Sequence, residues 1–115
     1  MSLKFIVTDL PPSVNVIYCR SQYSSIYLTK KVLAFKSRVC DVLSNMEIKC
    51  TNNRVKLEIH YTVTKNNIDI DNLNKVLLDS MNEIVYYDDN QVYELHCTKS
   101  IGANKETAVT VIILE

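Results

Sequence analysis

Apolar residues spaced three or four apart predict a long helix in the first half of the chain. The stripe consists of Leu28, Val32, Phe35, Val39, Val42 and Met46, and this spacing is typical of one helix face. Thr29 is a candidate N-cap, and the polar segment 16–27 before it is predicted to be a loop. Such a stripe can face a sheet, a second subunit or a coiled-coil partner. In a domain of this size, packing in the core or in a dimer is the expected use.

Alternation of apolar and polar residues with a period of two predicts strands. It is clearest at 55–63, where five apolar side chains share one face and His60 falls on the polar face, where we expect it to be solvated. Pro11-Pro12 indicates a turn after a first, weaker strand, because proline fixes φ. The predicted strands are 3–9, 55–63, 93–97 and 108–114.

A second helix is predicted over about 71–85. One sector of its helical wheel collects Leu73, Val76, Leu77, Ser80, Met81 and Ile84. Asp71, Lys75 and Asp79 lie on the other side, close together at i, i+4 and i+8. The predicted element order is therefore β-α-β-α-β-β. It indicates an α+β fold, in which residues 1–115 form a single domain with two helices against a mixed β-sheet.

The chain has 115 residues, which suits one domain, and its zero net charge hides an asymmetry. Residues 1–56 hold nine Lys/Arg and three Asp/Glu, a net charge of +6, whereas residues 57–115 hold four and ten, a net charge of −6. Such halves suit a polyanion bound on one part and metal-held chemistry on the other. Solvated faces that merely differ in sign explain the asymmetry equally well.

Nothing in the sequence indicates a membrane or secreted location. No run approaches the ~18 apolar residues of a membrane span, and the first residues, MSLKFIV, do not form a secretory leader. The cysteines show no C-x-x-C spacing, so we expect reduced, packing cysteines of a cytoplasmic protein rather than a zinc site. They are Cys19, Cys40, Cys50 and Cys97.

Acidic residues are concentrated around the second helix, and they carry the candidate chemistry. The segment reads D-I-D-N-x-x-K-x-x-x-D from Asp69 to Asp79, followed by D-D-x-Q from Asp88 to Gln91. Hard cations such as Mg²⁺ prefer oxygen ligands and usually take one or two carboxylates plus phosphate oxygens. An EF-hand loop is excluded, because Leu73 stands where an oxygen ligand is needed and the required glycine is missing.

Each acid also has an ordinary explanation. Asp71 could cap the second helix, Lys75 and Asp79 could form a simple i,i+4 pair, and Asp88-Asp89-Asn90 could be only a turn. The predicted helix of about fifteen residues spans roughly 22 Å, so the two acidic groups begin at its opposite ends. They meet only if the two turns fold toward each other or if a second subunit completes the site.

Taken together, these motifs resemble the signature of the RusA family of Holliday-junction resolvases. The resemblance rests on D-x-D-N-x-x-K-x-x-x-D and D-D-x-Q-V, with Pro11-Pro12-Ser13-x-Asn15 similar to the family's N-terminal P-P-S-x-N. It spans residues 5–114 and implies a similar α+β fold. It also implies a small homodimeric endonuclease that depends on Mg²⁺, with Mn²⁺ as a substitute, and nicks four-way DNA junctions symmetrically in recombination and repair. Phages and prophages often carry such genes, so a bacterial cytoplasm is implied.

The resemblance also assigns residues. Asp69, Asp71 and Asp89 match the family's essential acids, which hold the metal, and Lys75 matches its essential lysine. Further motif positions are matched by Asn72, Asp79, Asp88 and Gln91. The chain departs from the family in its neutral charge, in having only Lys65 charged just before the first acid, and in a shorter, glycine-free turn at 82–87.

DNA contacts are expected from the basic half of the chain. The candidates are Arg20, Lys30, Lys31 and Arg38 for phosphates, and Tyr18, Tyr23 and Tyr27 for base stacking, although ordinary packing is the more common use of tyrosine. The dimer interface is expected on the helix at 28–46 or on the last strand. Two alternatives stay open: a branched-DNA-binding module of the same fold that does not cut, and a structural dimer with a fortuitous acidic patch.

Overall fold

The computed structural model of the protein describes residues 2–12 and 22–114, with side chains described for 2–12 and 30–114. It confirms the predicted order of elements and the α+β class. The elements are β1 (Ser2–Val7), α1 (Gln22–Ser44), β2 (Arg54–Val63), α2 (Asp71–Ser80), a 3-10 turn (Asp89–Gln91), β3 (Val92–Ile101) and β4 (Glu106–Leu114). Within the described ranges, no helix is long and apolar enough to cross a membrane.

The four strands form one mixed sheet in the order β1-β4-β2-β3. β4 runs antiparallel to both of its neighbours, whereas β3 runs parallel to β2. Parallel strands need a crossover connection, and α2 supplies it here. The C-terminal ends of β2 and β3 therefore lie at the same edge of the sheet, next to the loop that leads from β2 into α2.

Both helices contribute to a core on one face of the sheet. All five alternating apolar residues of β2 are buried, as predicted, and they share the core with both helices. The core residues of the two helices include Phe35, Val39 and Leu43 of α1 and Leu73, Val76 and Leu77 of α2. The apolar stripe of α1, over its described side chains from Val32 onward, thus packs inside the domain rather than in a coiled coil.

His60 lies on the other face of the sheet, but it is not simply solvated. Its Nδ1 is 2.6 Å from Thr98 Oγ1, and its Nε2 is 2.9 Å from Ser100 Oγ. Both hydroxyls belong to the neighbouring strand β3. The predicted solvated histidine therefore joins β2 to the edge of the sheet.

Two helix boundaries differ from the sequence predictions. α1 begins at Gln22, so the predicted loop over 22–27 and the Thr29 cap were wrong. That segment holds neither glycine nor proline, and nothing in its backbone prevents helix formation. α2 ends at Ser80, five residues earlier than predicted, because the chain turns at Glu83, which has a positive φ of 67°.

Candidate active site

The first acidic group lies at the start of α2. Ile70 occupies the N-cap position without a side-chain cap, and Asp71 is the first helical residue. The interpretation of Asp71 as an N-cap is therefore wrong. Asp69 and Asp71 are both exposed. An acid in the first turn is still favourable there, by about 0.3–1 kcal/mol, because it complements the positive end of the helix dipole.

Lys75, at the middle of α2, contacts one acid of the same helix and one acid of the later turn. Its Nζ is 3.3 Å from Asp79 Oδ1, which is the expected i,i+4 pair, and 4.0 Å from Asp89 Oδ2. The turn that carries Asp89 thus folds back against the helix within one chain. Asp71 lies one helical turn before Lys75 and Asp79 one turn after it. The helix therefore carries a row of acid, lysine and acid, and Asp89 lies against the lysine of this row.

The second acidic group is held in a hydrogen-bonded turn. Asp88 caps the 3-10 turn, since its Oδ1 accepts a hydrogen bond of 3.2 Å from the Asn90 amide. The carboxyl groups of Asp88 and Asp89 share a hydrogen bond, which raises the pKa of Asp89 and lowers the pKa of Asp88. Burial raises the pKa of Asp89 further, and Lys75 opposes the rise. The turn is thus a concentrated negative site that a cation would stabilise.

Gln91 fixes this turn to the start of β2. Its Oε1 accepts hydrogen bonds from the amides of Tyr87 and Asp88, at 2.8 and 3.1 Å. Its Nε2 donates to the carbonyls of Thr51 and Asn53, at 2.8 and 2.9 Å. One side chain therefore makes four hydrogen bonds to the backbone. This explains why the motif needs an amide with both a donor and an acceptor at this position.

Tyr86 lies buried between α2 and the acidic turn. Its side chain is fully buried, and its hydroxyl donates to the Leu78 carbonyl at 2.8 Å. Burial raises the pKa of this hydroxyl strongly, and the nearby charges of Asp89, Asp79 and Asp88 raise it further. Tyr86 therefore stays neutral, and its hydrogen bond holds the residue before the acidic turn against the helix.

The donor chemistry of this site suits a hard cation. Aspartate carboxylates are the oxygen ligands that Mg²⁺ prefers. Among the described residues, however, no three His, Cys, Asp or Glu side chains lie close enough to share one ion. Asp89 has joined Lys75 and Asp79, while Asp69 and Asp71 stand at the start of the helix. The shared metal set of Asp69, Asp71 and Asp89 stays a prediction.

A family model described as Endodeoxyribonuclease RusA matches residues 9–113, nearly the whole chain. The chain belongs to the RusA family. It is therefore an endodeoxyribonuclease of a family that acts on Holliday junctions, a form of branched DNA. None of the curated proteins matches the chain.

The RusA fold places the predicted DNA-binding residues as follows. Lys30, Lys31 and Arg38 are exposed on α1, and Arg38 forms an ion pair of 3.2 Å with Asp9. Arg20 lies outside the described residues, as do Tyr18, Ser13 and Asn15, and the side chains of Tyr23 and Tyr27 are also outside them. One groove is lined by Lys31, Arg38, Lys105, Ile68 and Leu73, among others. It connects the basic part of α1 with the residue before Asp69.

The glycine-free turn before the acid pair has a structural explanation. Glu83 is the non-glycine residue with positive φ in the described chain, at 67°. Its amide donates to the Tyr86 carbonyl, which closes the turn. L-residues pay roughly 1–2 kcal/mol for this left-handed conformation, whereas glycine adopts it freely. The turn thus keeps its shape without glycine, at a cost in stability.

Two residues at this site were missed by the sequence analysis. Asn74 lies next to the acid row, and its Oδ1 accepts hydrogen bonds from Tyr61 Oη at 2.7 Å and from Cys97 Sγ at 3.4 Å. It therefore ties α2 to two strands. Lys99 binds the loop before Asp69. Lys99 is exposed and its acceptors are backbone carbonyls, so the pattern of side chains gave no signal for this contact.

Proposed function

We propose that this RusA-family protein is a Mg²⁺-dependent endodeoxyribonuclease that resolves four-way junctions by paired, symmetric nicks as a homodimer. Mn²⁺ should substitute for Mg²⁺. The observation that carries the proposal is the position of Lys75, with Asp79 at 3.3 Å and Asp89 at 4.0 Å. Separate segments of the chain bring these groups together, and a simple surface ion pair on one helix does not require that.

In this proposal Asp69, Asp71 and Asp89 hold the ion. When bound, Mg²⁺ supplies a water nucleophile near neutral pH and neutralises charge on the scissile phosphate. The acids have different surroundings. Asp69 and Asp71 are exposed to an incoming strand, whereas Asp89 is partly covered and is held by its turn.

Lys75 binds the phosphate in the proposed reaction. Its ammonium is a compact charge on a flexible stem, which suits contact with phosphoryl oxygens. The ammonium lies 4.0 Å from Asp89 Oδ2, so a phosphate that reaches Asp89 also meets it. Lys75 thereby offsets negative charge that builds up in the transition state. Asp88 shapes the turn and leaves the ligand role to Asp89.

The DNA path is proposed to follow the groove between α1 and the loop before Asp69. Lys31, Arg38 and Lys105 line this groove, and so does Ile68, the residue before Asp69. Basic residues bind phosphates and release counterions, so this affinity should fall steeply with salt. Lys30 is exposed on α1 outside the groove lining, and Lys105 is a candidate that the sequence did not single out.

A homodimer fits the two-fold symmetry of a four-way junction, since it presents one site to each of two opposed strands. The expected interfaces, however, are used within the chain. The α1 stripe packs in the core, and β4 lies between β1 and β2. The edge strand β3 instead exposes Tyr93, Leu95 and Ile101, at 65%, 41% and 63% of their surface. We assign the dimer contact to this strand, and Leu95→Lys should reduce the dimer in gel filtration.

The test uses an end-labelled immobile four-way junction with matched duplex and single-strand controls. Each is incubated with protein and Mg²⁺, with EDTA, and with Asp71→Asn in place of the wild type. Paired nicks confined to the junction, absent with EDTA and with the variant, are the expected result. Binding without cleavage would favour the non-catalytic binding module. Neither binding nor cleavage would contradict both functions.

A further inference from the structure

Lys99 holds the backbone of the loop that carries Asp69. In the sheet it lies opposite Tyr61 of β2, whose side chain is fully buried on the helix-bearing face. The Lys99 Nζ donates a hydrogen bond of 2.8 Å to the Ile68 carbonyl and one of 3.5 Å to the Asn66 carbonyl. Strand β3 is thereby hydrogen-bonded to the loop between β2 and α2.

The position of this contact relates it to the acidic site. Ile68 directly precedes Asp69 in the chain, so an oxygen bound by Lys99 belongs to the peptide group that joins Ile68 to Asp69. Directly before the first residue of the same strand, Gln91 fixes the turn that carries Asp89. β3 is therefore anchored to both acidic groups, one at each end. Hydrogen bonds from a charged donor are stronger than neutral ones, although exposure to water weakens this one.

We propose that Lys99 is a positioning residue that sets the place of the Asp69 carboxylate through the Ile68 carbonyl. This inference rests on the proposed function, because it gives Asp69 the role of a metal ligand. The competing explanation is that Lys99 contributes only positive charge for DNA binding. The two explanations make different predictions for the protein without DNA. If Lys99 holds the Ile68 carbonyl, it orders the loop there, whereas a residue that only contacts DNA phosphates does not.

The test compares Lys99→Met, Lys99→Arg and Lys65→Met with the wild type, in the absence of DNA. Lys65→Met is a matched control, since it removes one exposed positive charge from the same loop. Lys99→Met should speed hydrogen exchange of the amides at 66–70 by about threefold to tenfold. It should also raise the Mg²⁺ concentration for half-saturation, followed by the amide signals of Asp69 and Asp71, by about threefold or more. Lys99→Arg should restore both in part, and Lys65→Met should change neither.

Cleavage provides a separate readout. High Mg²⁺ should rescue Lys99→Met, because the ligand is misplaced but present, and it should not rescue Asp69→Asn. Unchanged exchange and Mg²⁺ half-saturation in Lys99→Met would overturn the inference. Equal effects of Lys65→Met and Lys99→Met would also overturn it, since charge alone would then be responsible. A wild-type protein that cuts no junction would contradict the proposed function. Hydrogen exchange of the amides at 66–70 in the free protein would still decide whether Lys99 holds the loop.

Discussion

The two halves of the acidic site are built differently. The half at Asp88–Asp89 is tied down by side chains: a capped 3-10 turn, four hydrogen bonds from Gln91 and the nearby Lys75. The half at Asp69–Asp71 is exposed, and its described anchors act on the backbone through α2 and Lys99. One half is therefore formed before any ligand binds. In the other half, it is the exposed carboxylates that an ion or a phosphate should hold in place.

The largest effect is expected from removing an acid from either half. Asp69→Asn and Asp89→Asn should each lower junction cleavage by about 10²-fold or more, because each removes a charged ligand of the proposed ion. Folding should change little in both, which thermal unfolding will check. Asp41→Asn, an exposed acid on α1, is the control. Loss of cleavage with one variant but not the other would mean that only one half takes part.

Lys75→Met should lower cleavage by about 10²-fold at saturating DNA, because the charge next to Asp89 is lost. Stability should change by less than about 1 kcal/mol, since the lysine is exposed and such pairs contribute little. Single-turnover cleavage rates measure the effect, with Lys36→Met as a control from α1. A change in DNA affinity with an unchanged cleavage rate would assign Lys75 to ground-state binding only.

Gln91→Leu tests how far the structure of the half at Asp88–Asp89 depends on one side chain. It should destabilise the protein by about 1 kcal/mol, because four hydrogen bonds to the backbone are lost, while water replaces part of them at the three exposed ones. Denaturant unfolding measures this, and Asn90→Ala, at an exposed side chain, should stay near the wild type. Gln91→Glu should also destabilise, since a carboxylate cannot donate to the Thr51 and Asn53 carbonyls. A stable Gln91→Leu would show that the turn forms without these bonds.

Glu83→Gly should stabilise the protein by about 0.5–1 kcal/mol, because glycine adopts the left-handed conformation at no steric cost but has more freedom in the unfolded chain. Denaturant unfolding is again the measurement, with cleavage expected to stay as in the wild type. A destabilised variant would indicate that the Glu83 side chain contributes more than its backbone strain costs.

Asp79→Asn should have the smallest effect of these changes. It weakens an i,i+4 pair worth a few tenths of a kcal/mol, and cleavage should fall less than tenfold, because Lys75 keeps its contact with Asp89. Comparison with Asp89→Asn in the same assay decides this. Equal losses would place Asp79 among the metal ligands in place of an acid from the exposed half.

The sequence predicted those parts of the molecule that depend on periodicity. The buried face of β2 and the stripe of α1 follow from the spacing of apolar residues, because burial requires one consistent face. The end of α2 was not predicted, because Ile84 continues the helical pattern while Glu83 turns the backbone. The sequence left open whether the two acidic groups meet; the structure brings Asp89 to Lys75, while Asp69 and Asp71 stay at the start of the helix. Lys99 was missed because its acceptors are backbone carbonyls, which a pattern of side chains does not reveal.

The most direct test of the account is a Mg²⁺ titration that follows the amide signals of both halves in one experiment. If Asp69, Asp71 and Asp89 bind a common site, the signals at 69–71 and at 88–89 should shift with the same midpoint. Asp89→Asn should then weaken the response at 69–71 as well as its own. Independent midpoints, with the response at 69–71 unchanged in Asp89→Asn, would contradict a metal site shared by the two halves.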